Sequence, residues 1–254
     1  MQFIVKRDIL LKSLNFVQGV VEKKNTLPIL SNVLLQLSDK KLSIVATDID
    51  IVFYDEINAV NIIKEGSTTT SAAILHDILK KISSNSDLNF DLKTENKLSL
   101  KSDNSDFNLL CLPTDNFPTF TDEFDSSEIF INNKKFLKLL NKTKIAISND
   151  DTRHYLNGIF LHLTKAQGRN FLTGVATDSH RLSSSSLEIE KTNDFTSLIL
   201  PRKTVFQLCS LLAETNEQLM MQTGDNKIRF RVGKMKLISK LIDGKFPDYK
   251  KVVP

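Results

Sequence analysis

The 254-residue chain has no tryptophan, two cysteines and four histidines. Cys111 and Cys209 cannot build a disulfide framework and form no C-x-x-C pair, so a reducing compartment is expected. No apolar run approaches the ~18 residues of a membrane span. The N-terminus, MQFIVKRDILLK, meets Lys6, Arg7 and Asp8 before a signal peptide's apolar region can form. A cytosolic (cytoplasmic) protein with no membrane partner is expected. There is no P-loop and no G-x-G-x-x-G. His76, His154, His162 and His180 are scattered, and neither cysteine lies near another ligand type. Neither a metal site nor a cofactor is expected. An excess of one charge is also missing, since 34 Lys+Arg against 30 Asp+Glu leave +4. That excludes a polybasic tail protein but not a basic face balanced elsewhere.

What is present is repetition. Ala46-Thr47-Asp48 recurs as Ala176-Thr177-Asp178 at an offset of 130. Leu35-Gln36-Leu37 recurs as Leu161-His162-Leu163 at 126, and LPTDNFP (112–118) recurs as LIDGKFP (241–247) at 129. Three matches in order at nearly constant offset indicate two units, 1–123 and 124–254. The first holds 13 Lys+Arg and 17 Asp+Glu, net −4; the second holds 21 and 13, net +8. The basic character sits in the second unit.

Apolar residues at helical spacing mark four helices. They are Leu10, Leu14, Val17 and Val21; Ile74, Leu75, Ile78, Leu79 and Ile82 behind Ser71 as N-cap; Phe136, Leu139, Leu140 and Ile147, entered through Asn132 or Asn133; and Val205, Leu208, Leu211 and Leu212, with Pro201 in the first turn. Between them the period is two, as in Leu98/Leu100 and Ile228/Phe230/Val232, and 42–47, 51–57, 171–176 and 235–242 also read as strands. The order is β-α-β-β-β four times, beginning near 1, 66, 128 and 196. An α+β class follows, with antiparallel sheets and helices on one face.

The third helix carries Lys134, Lys135, Lys138, Lys142 and Lys144 and no acid. Lys134–Lys138–Lys142 is a like-charge i,i+4 row, which costs a few tenths of a kcal/mol per pair. Lys80 and Lys81 end the second helix, Lys23 and Lys24 follow the first, and Arg202 and Lys203 open the fourth. Cations at a helix C-terminus suit the macrodipole, but those at the N-termini oppose it. A polyanion held by sequence-independent phosphate contacts explains them. No zinc finger, RNP or helix-turn-helix signature calls for base readout.

Asp178-Ser179-His180-Arg181 has the residue types of a hydrolytic triad, but consecutive strand residues point to opposite faces and no G-x-S-x-G surrounds Ser179. A module repeated four times, with cationic helices and no catalytic constellation, reads as a binding protein. Two other readings remain: a nonspecific nucleic-acid-binding module that grips DNA directly, and a hydrolase using Ser179 or His180.

The segments TLPILSN (26–32), RHYLNGI (153–159), VATDSHRL (175–182), PRK (201–203) and SKLIDGKFPDYKKVVP (239–254) together resemble the beta subunit of bacterial DNA polymerase III, the sliding-clamp family. The resemblance spans the whole chain. It implies the DNA-clamp fold, with each domain made of two β-α-β-β-β units and the helices lining a ring around double-stranded DNA. It implies a non-catalytic processivity factor that acts as a homodimer when full length. An ATP-driven clamp loader places it on DNA, and it tethers the replicative polymerase and other polymerases through short linear peptides. It implies 1–123 and 124–254 as the first two of three domains, the third lying beyond Pro254, so that this chain alone neither closes a ring nor binds peptides strongly. By the resemblance Lys24, Arg153, His154 and Tyr155 match loop positions that touch DNA; with the helix cations read above, Lys80, Lys81, Lys134, Lys138, Lys142, Arg202 and Lys203, they make up the expected DNA-binding set. The peptide-pocket set is Leu156, Thr177, Ser179, His180, Arg181, Leu182, Pro247, Lys251 and Val252, with Leu156, Leu182 and Val252 as an apolar floor. Ser179 stands where glycine is expected.

Overall fold

A computed structural model describes residues 1–22, 26–58, 60–103, 105–190 and 195–253. Two compact units divide the chain. One is Met1–Asp122, which also takes in Lys234–Leu237, and the other is Glu123–Gly233 with Ile238–Pro254.

Strand β1 (Gln2–Lys6) leads into helix α1 (Arg7–Val20), followed by β2 (Asn32–Ser38), β3 (Lys41–Thr47), β4 (Ile51–Ile57) and β5 (Val60–Lys64). The pattern restarts with β6 (Gly66–Ser71), α2 (Ala72–Lys81), β7 (Asp87–Thr94), β8 (Lys97–Ser102) and β9 (Ser105–Leu112). In the second unit β10 (Ile129–Ile131) and α3 (Asn133–Thr143) precede β11 (Gly158–Ala166), β12 (Arg169–Thr177) and β13 (Leu182–Ile189). The fourth round is β14 (Leu198–Pro201), α4 (Arg202–Ala213), β15 (Leu219–Thr223), β16 (Lys227–Val232) and β17 (Met235–Lys240). The α+β class and the fourfold β-α-β-β-β order are those expected. Strand β5 is an addition. Its sequence, VNIIK, lacks period-two alternation, and among the described residues it pairs with β1 alone, at the end of the sheet.

The first unit's strands pair antiparallel in the order β4-β3-β2-β6-β9-β8-β7-β1-β5. In the second unit β13-β12-β11-β14 and β10-β15-β16 are antiparallel ladders. Helix α1 buries Leu10, Leu14, Phe16, Val17 and Val20 against β3, β4 and α2. Phe3 and Phe90 stack at 4.7 Å within the first core. Helix α3 buries Phe136, Leu139 and Leu140 against β12, β13 and α4, with Phe136 tilted 6.2 Å from Phe230.

Helix ends differ from the periodicity in small ways. Ser71 caps α2 by accepting from the Ile74 amide, and Asn132 caps α3 by accepting from that of Lys135. Val21 and Ile82 are C-caps rather than helical residues, and Ile147 follows a separate 3-10 turn over Lys144–Ala146. Pro201 ends β14 and forms the N-cap of α4, one residue before the helical position expected for it. Apolar spacing places a helix well, but the terminal backbone geometry decides its last residue.

Candidate functional site

The repeated Ala-Thr-Asp triplet makes the same turn twice. After β3, Thr47 Oγ1 accepts from the Ile49 amide and donates to the Ile51 carbonyl, while Asp48 Oδ1 accepts from the Asp50 and Ile51 amides. After β12, Thr177 Oγ1 accepts from Ser179 N and donates to Arg181 O, while Asp178 Oδ1 accepts from His180 N at 3.1 Å and Arg181 N at 3.0 Å. These amides, with the Arg181 guanidinium bonded to Oδ2, hold the Asp178 carboxyl below the usual carboxylate range. The third residue of each turn takes a positive φ, 83° at Ile49 and 77° at Ser179. That region favours glycine, the residue the resemblance implies at 179. The Asp178 carboxylate is thus occupied by backbone and Arg181 rather than by the His180 ring, and Ser179 Oγ accepts from Arg153 Nη1 at 2.5 Å.

Arg153 belongs to a 3-10 segment, Asp151–Leu156, organised from its N-cap. Asp150 accepts from Thr152 Oγ1 at 2.6 Å, Thr152 N at 3.0 Å and Arg153 Nε at 2.8 Å. The Thr152 hydroxyl, then Arg153, lower the Asp150 carboxyl to about 2. His154 Nε2 lies 3.1 Å from the Asp243 carbonyl. At Gly244, φ is 155° and a Cβ would stand 3.1 Å from that of Tyr155, so a side chain there is strained and crowded.

The segment after β17 runs over the outer face of β11, β12 and β14. Along β11, Ile159 and Leu161 face the main core, so Phe160 and His162 face outward. Phe246 stacks on Phe160 at 4.9 Å, and with Leu156, Val175 and Ile199 it forms a second small core, against which Tyr155, Leu182, Ile242 and Tyr249 pack. The first unit has a counterpart: Phe117 with Ile29 and Leu30, against which Leu34 and Val45 pack. The structure therefore brings Leu156, Thr177, Ser179, His180, Arg181 and Leu182 into one neighbourhood, with Pro247 next to the Phe246 anchor. Val252, the remaining residue of the expected floor, is 72% exposed and directly follows a 3-10 turn over Tyr249–Lys251. Lys251 pairs with Asp248 at 3.5 Å.

Among the cations, Lys134, Lys138 and Lys142 stand exposed along one face of α3, and none forms an ion pair with a described residue. Arg202 and Lys203 are half-buried in the first turn of α4. The Arg202 guanidinium lies 5.2 Å from the Phe206 ring centre and Lys144 Nζ lies 5.4 Å from it. Lys80 and Lys81 end α2, where Arg7 also donates to the Leu79 and Lys80 carbonyls. Lys24, with Lys23 and Asn25, lies outside the described residues.

Residues 1–121 match the N-terminal domain of the DNA polymerase III beta subunit, and residues 130–248 match its central domain. The beta sliding clamp of Caulobacter vibrioides is 38% identical over 256 residues, spanning 100% of this chain and 68% of that protein. The chain belongs to the beta sliding clamp family. The clamp of Escherichia coli is 36% identical, again over 100% of this chain and 68% of its own length. The solved Caulobacter crescentus clamp superposes with a TM-score of 0.95 at 37% identity, covering 100% of this chain and 68% of that one. The Pseudomonas aeruginosa subunit does so at 0.92 and 36%, with the same coverage. Sliding clamps are non-catalytic processivity factors. Sequence reasoning about this clamp missed Asp150, although an Asp two residues before Thr152 is a turn signal. It also missed the pairing of His162 with Tyr249, which no local spacing reveals.

Proposed function

We propose that the chain supplies the DNA-facing helices and the partner-binding outer surface of a sliding clamp. The observation that carries this is the exposed, acid-free Lys134–Lys138–Lys142 row in a fold whose relatives are clamps. Flexible ammonium groups give diffuse phosphate contacts that let a ring slide, whereas tight or base-specific contacts stall it. The DNA-facing set is Lys24, Lys80, Lys81, Lys134, Lys138, Lys142, Arg153, His154, Tyr155, Arg202 and Lys203. The partners are double-stranded DNA, polymerases that dock short peptides, a clamp loader and, in the full-length protein, a second copy. Work on the chromosome places it in the cytoplasm, and the chain has no catalytic role. The peptide pocket comprises Leu156, Thr177, Ser179, His180, Arg181, Leu182, Pro247, Lys251 and Val252. In its favour are the apolar cluster under Leu156 and Leu182 and the polar turn beside it, the usual make-up of such a site. A solved clamp from Bartonella birtlesii is bound to griselimycin, so a clamp of this fold has a surface that holds a compact ligand.

The test is binding to linear duplex with free ends. A clamp has weak, salt-sensitive affinity there, because its hold on DNA is topological. Binding tighter than about 1 µM at physiological salt overturns the sliding reading in favour of a direct, nonspecific binder.

A further inference from the structure

The pocket residues come from two parts of the chain. Leu156 ends the 3-10 segment before β11 and five others lie at the β12–β13 turn, while Pro247, Lys251 and Val252 lie on the segment after β17 and are all exposed. Exposed residues on a segment without ladder hydrogen bonds need something to hold them. Phe246 anchors one end. Beyond it, His162 stacks on Phe160 at 4.9 Å with 21° between planes, and its Nε2 lies 2.9 Å from the Tyr249 hydroxyl. His162 Nδ1 lies 3.2 Å from the Leu163 carbonyl. A carbonyl only accepts, so Nδ1 carries the proton, Nε2 is the acceptor, and the Tyr249 hydroxyl donates to it.

The first unit serves as an internal comparison. Phe117 repeats Phe246, and Leu30, Leu34 and Val45 repeat Leu156, Phe160 and Val175 at offsets of 126 to 130. The same offsets put Gln36 and Phe120 where His162 and Tyr249 stand. The phenylalanine anchor is thus common to both units and belongs to the fold. The imidazole–hydroxyl bond is found only in the unit that carries the pocket.

We propose that His162 is a positioning residue of the peptide pocket: by holding Tyr249, it fixes the Tyr249–Lys251 turn and so the placement of Pro247, Lys251 and Val252 before a peptide arrives. This rests on the peptide-pocket reading above. The advantage is pre-organisation, since a segment ordered in advance does not lose its conformational freedom on binding. In the neutral ring the bond runs from the Tyr249 hydroxyl to Nε2. Burial, and to a lesser extent the Lys250 charge, lower the imidazole's pKa, against the Leu163 carbonyl, which raises it. On the facing segment Tyr249 is held protonated by burial and by Asp248 next to it. On β12 the residue opposite is the uncharged Thr173, and on β11 the ring's neighbour is Phe160. Protonation reverses this bond rather than breaking it, since the Nε2–H of a charged ring donates to the Tyr249 oxygen.

The experiment pairs two readouts on this chain. One is fluorescence-polarisation titration with a fluorescein-labelled hexapeptide carrying two adjacent large apolar residues and one carboxylate. The other is amide hydrogen exchange of residues 246–252. Tyr249→Phe, which removes one oxygen, and His162→Ala each weaken peptide binding roughly three- to tenfold, the range of one lost hydrogen bond. Each also speeds exchange in the segment, and the double variant is no worse than His162→Ala alone. His162→Gln, which keeps an acceptor, restores most of the affinity. Unchanged exchange and affinity in Tyr249→Phe and His162→Ala overturn the proposal. So does faster exchange with unchanged affinity, which makes the bond a fold contact only. A wild-type chain that shows not even weak peptide binding, at about 1 mM, while exchange still responds to the variants, overturns the pocket reading and the proposal with it.

Discussion

Asp150 and Phe246 show how differently single residues can contribute. Asp150 holds its loop through three donors, with a carboxyl at about 2. A depressed carboxyl contributes stability that is complete above its unfolded pKa, about 4, and is lost as pH falls through the folded value. The Asp151–Leu156 segment is therefore expected to keep its shape at pH 4 and to loosen only towards pH 2. Carboxyl carbon shifts followed by NMR give the midpoint, and one near 4 contradicts the caging. Phe246 acts by packing. Phe246→Ala removes a ring stacked on Phe160 and costs about 3–5 kcal/mol in urea unfolding. Both cysteines are buried, and burial pushes their thiols up. Both are expected to react with a thiol reagent only slowly at pH 7.5 and at once in denaturant.

At the scale of elements, α3 carries the clearest signal. Its cap, buried stripe and lysine row were all legible, because helical periodicity and capping are local properties. Asn132→Ala is expected to cost about 1 kcal/mol, measured by urea denaturation, by leaving the Lys135 amide without its acceptor. Lys138→Ala is expected to lower the slope of log K against log salt for duplex DNA by about one, with no change in sequence preference. A sequence-dependent effect argues against diffuse phosphate contact. What escaped the sequence was non-local. His162 and Tyr249 are 87 residues apart, and nothing near either one marks the pair. The Thr-Asp turns were half legible, since the repeated triplet stood out but the backbone amides it gathers did not.

For the whole molecule, each unit has its own core: Phe3 and Phe90 in one, Phe136 and Phe230 in the other. Calorimetry is expected to separate them by mutation, Phe90→Ala lowering one component of the unfolding profile and Phe136→Ala the other. A uniform shift of a single sharp transition by either variant contradicts independent cores. The duplicated turn has a practical consequence. Thr47-Asp48 and Thr177-Asp178 gather the same amides, but the first turn carries Ile49, Asp50 and Ile51 where the second carries Ser179, His180 and Arg181. Evolution has left a blank beside the sample. Transplanting Ser-His-Arg into the first copy, or Ile-Asp-Ile into the second, subtracts the scaffold from the measurement and leaves what those three side chains do for a visiting peptide.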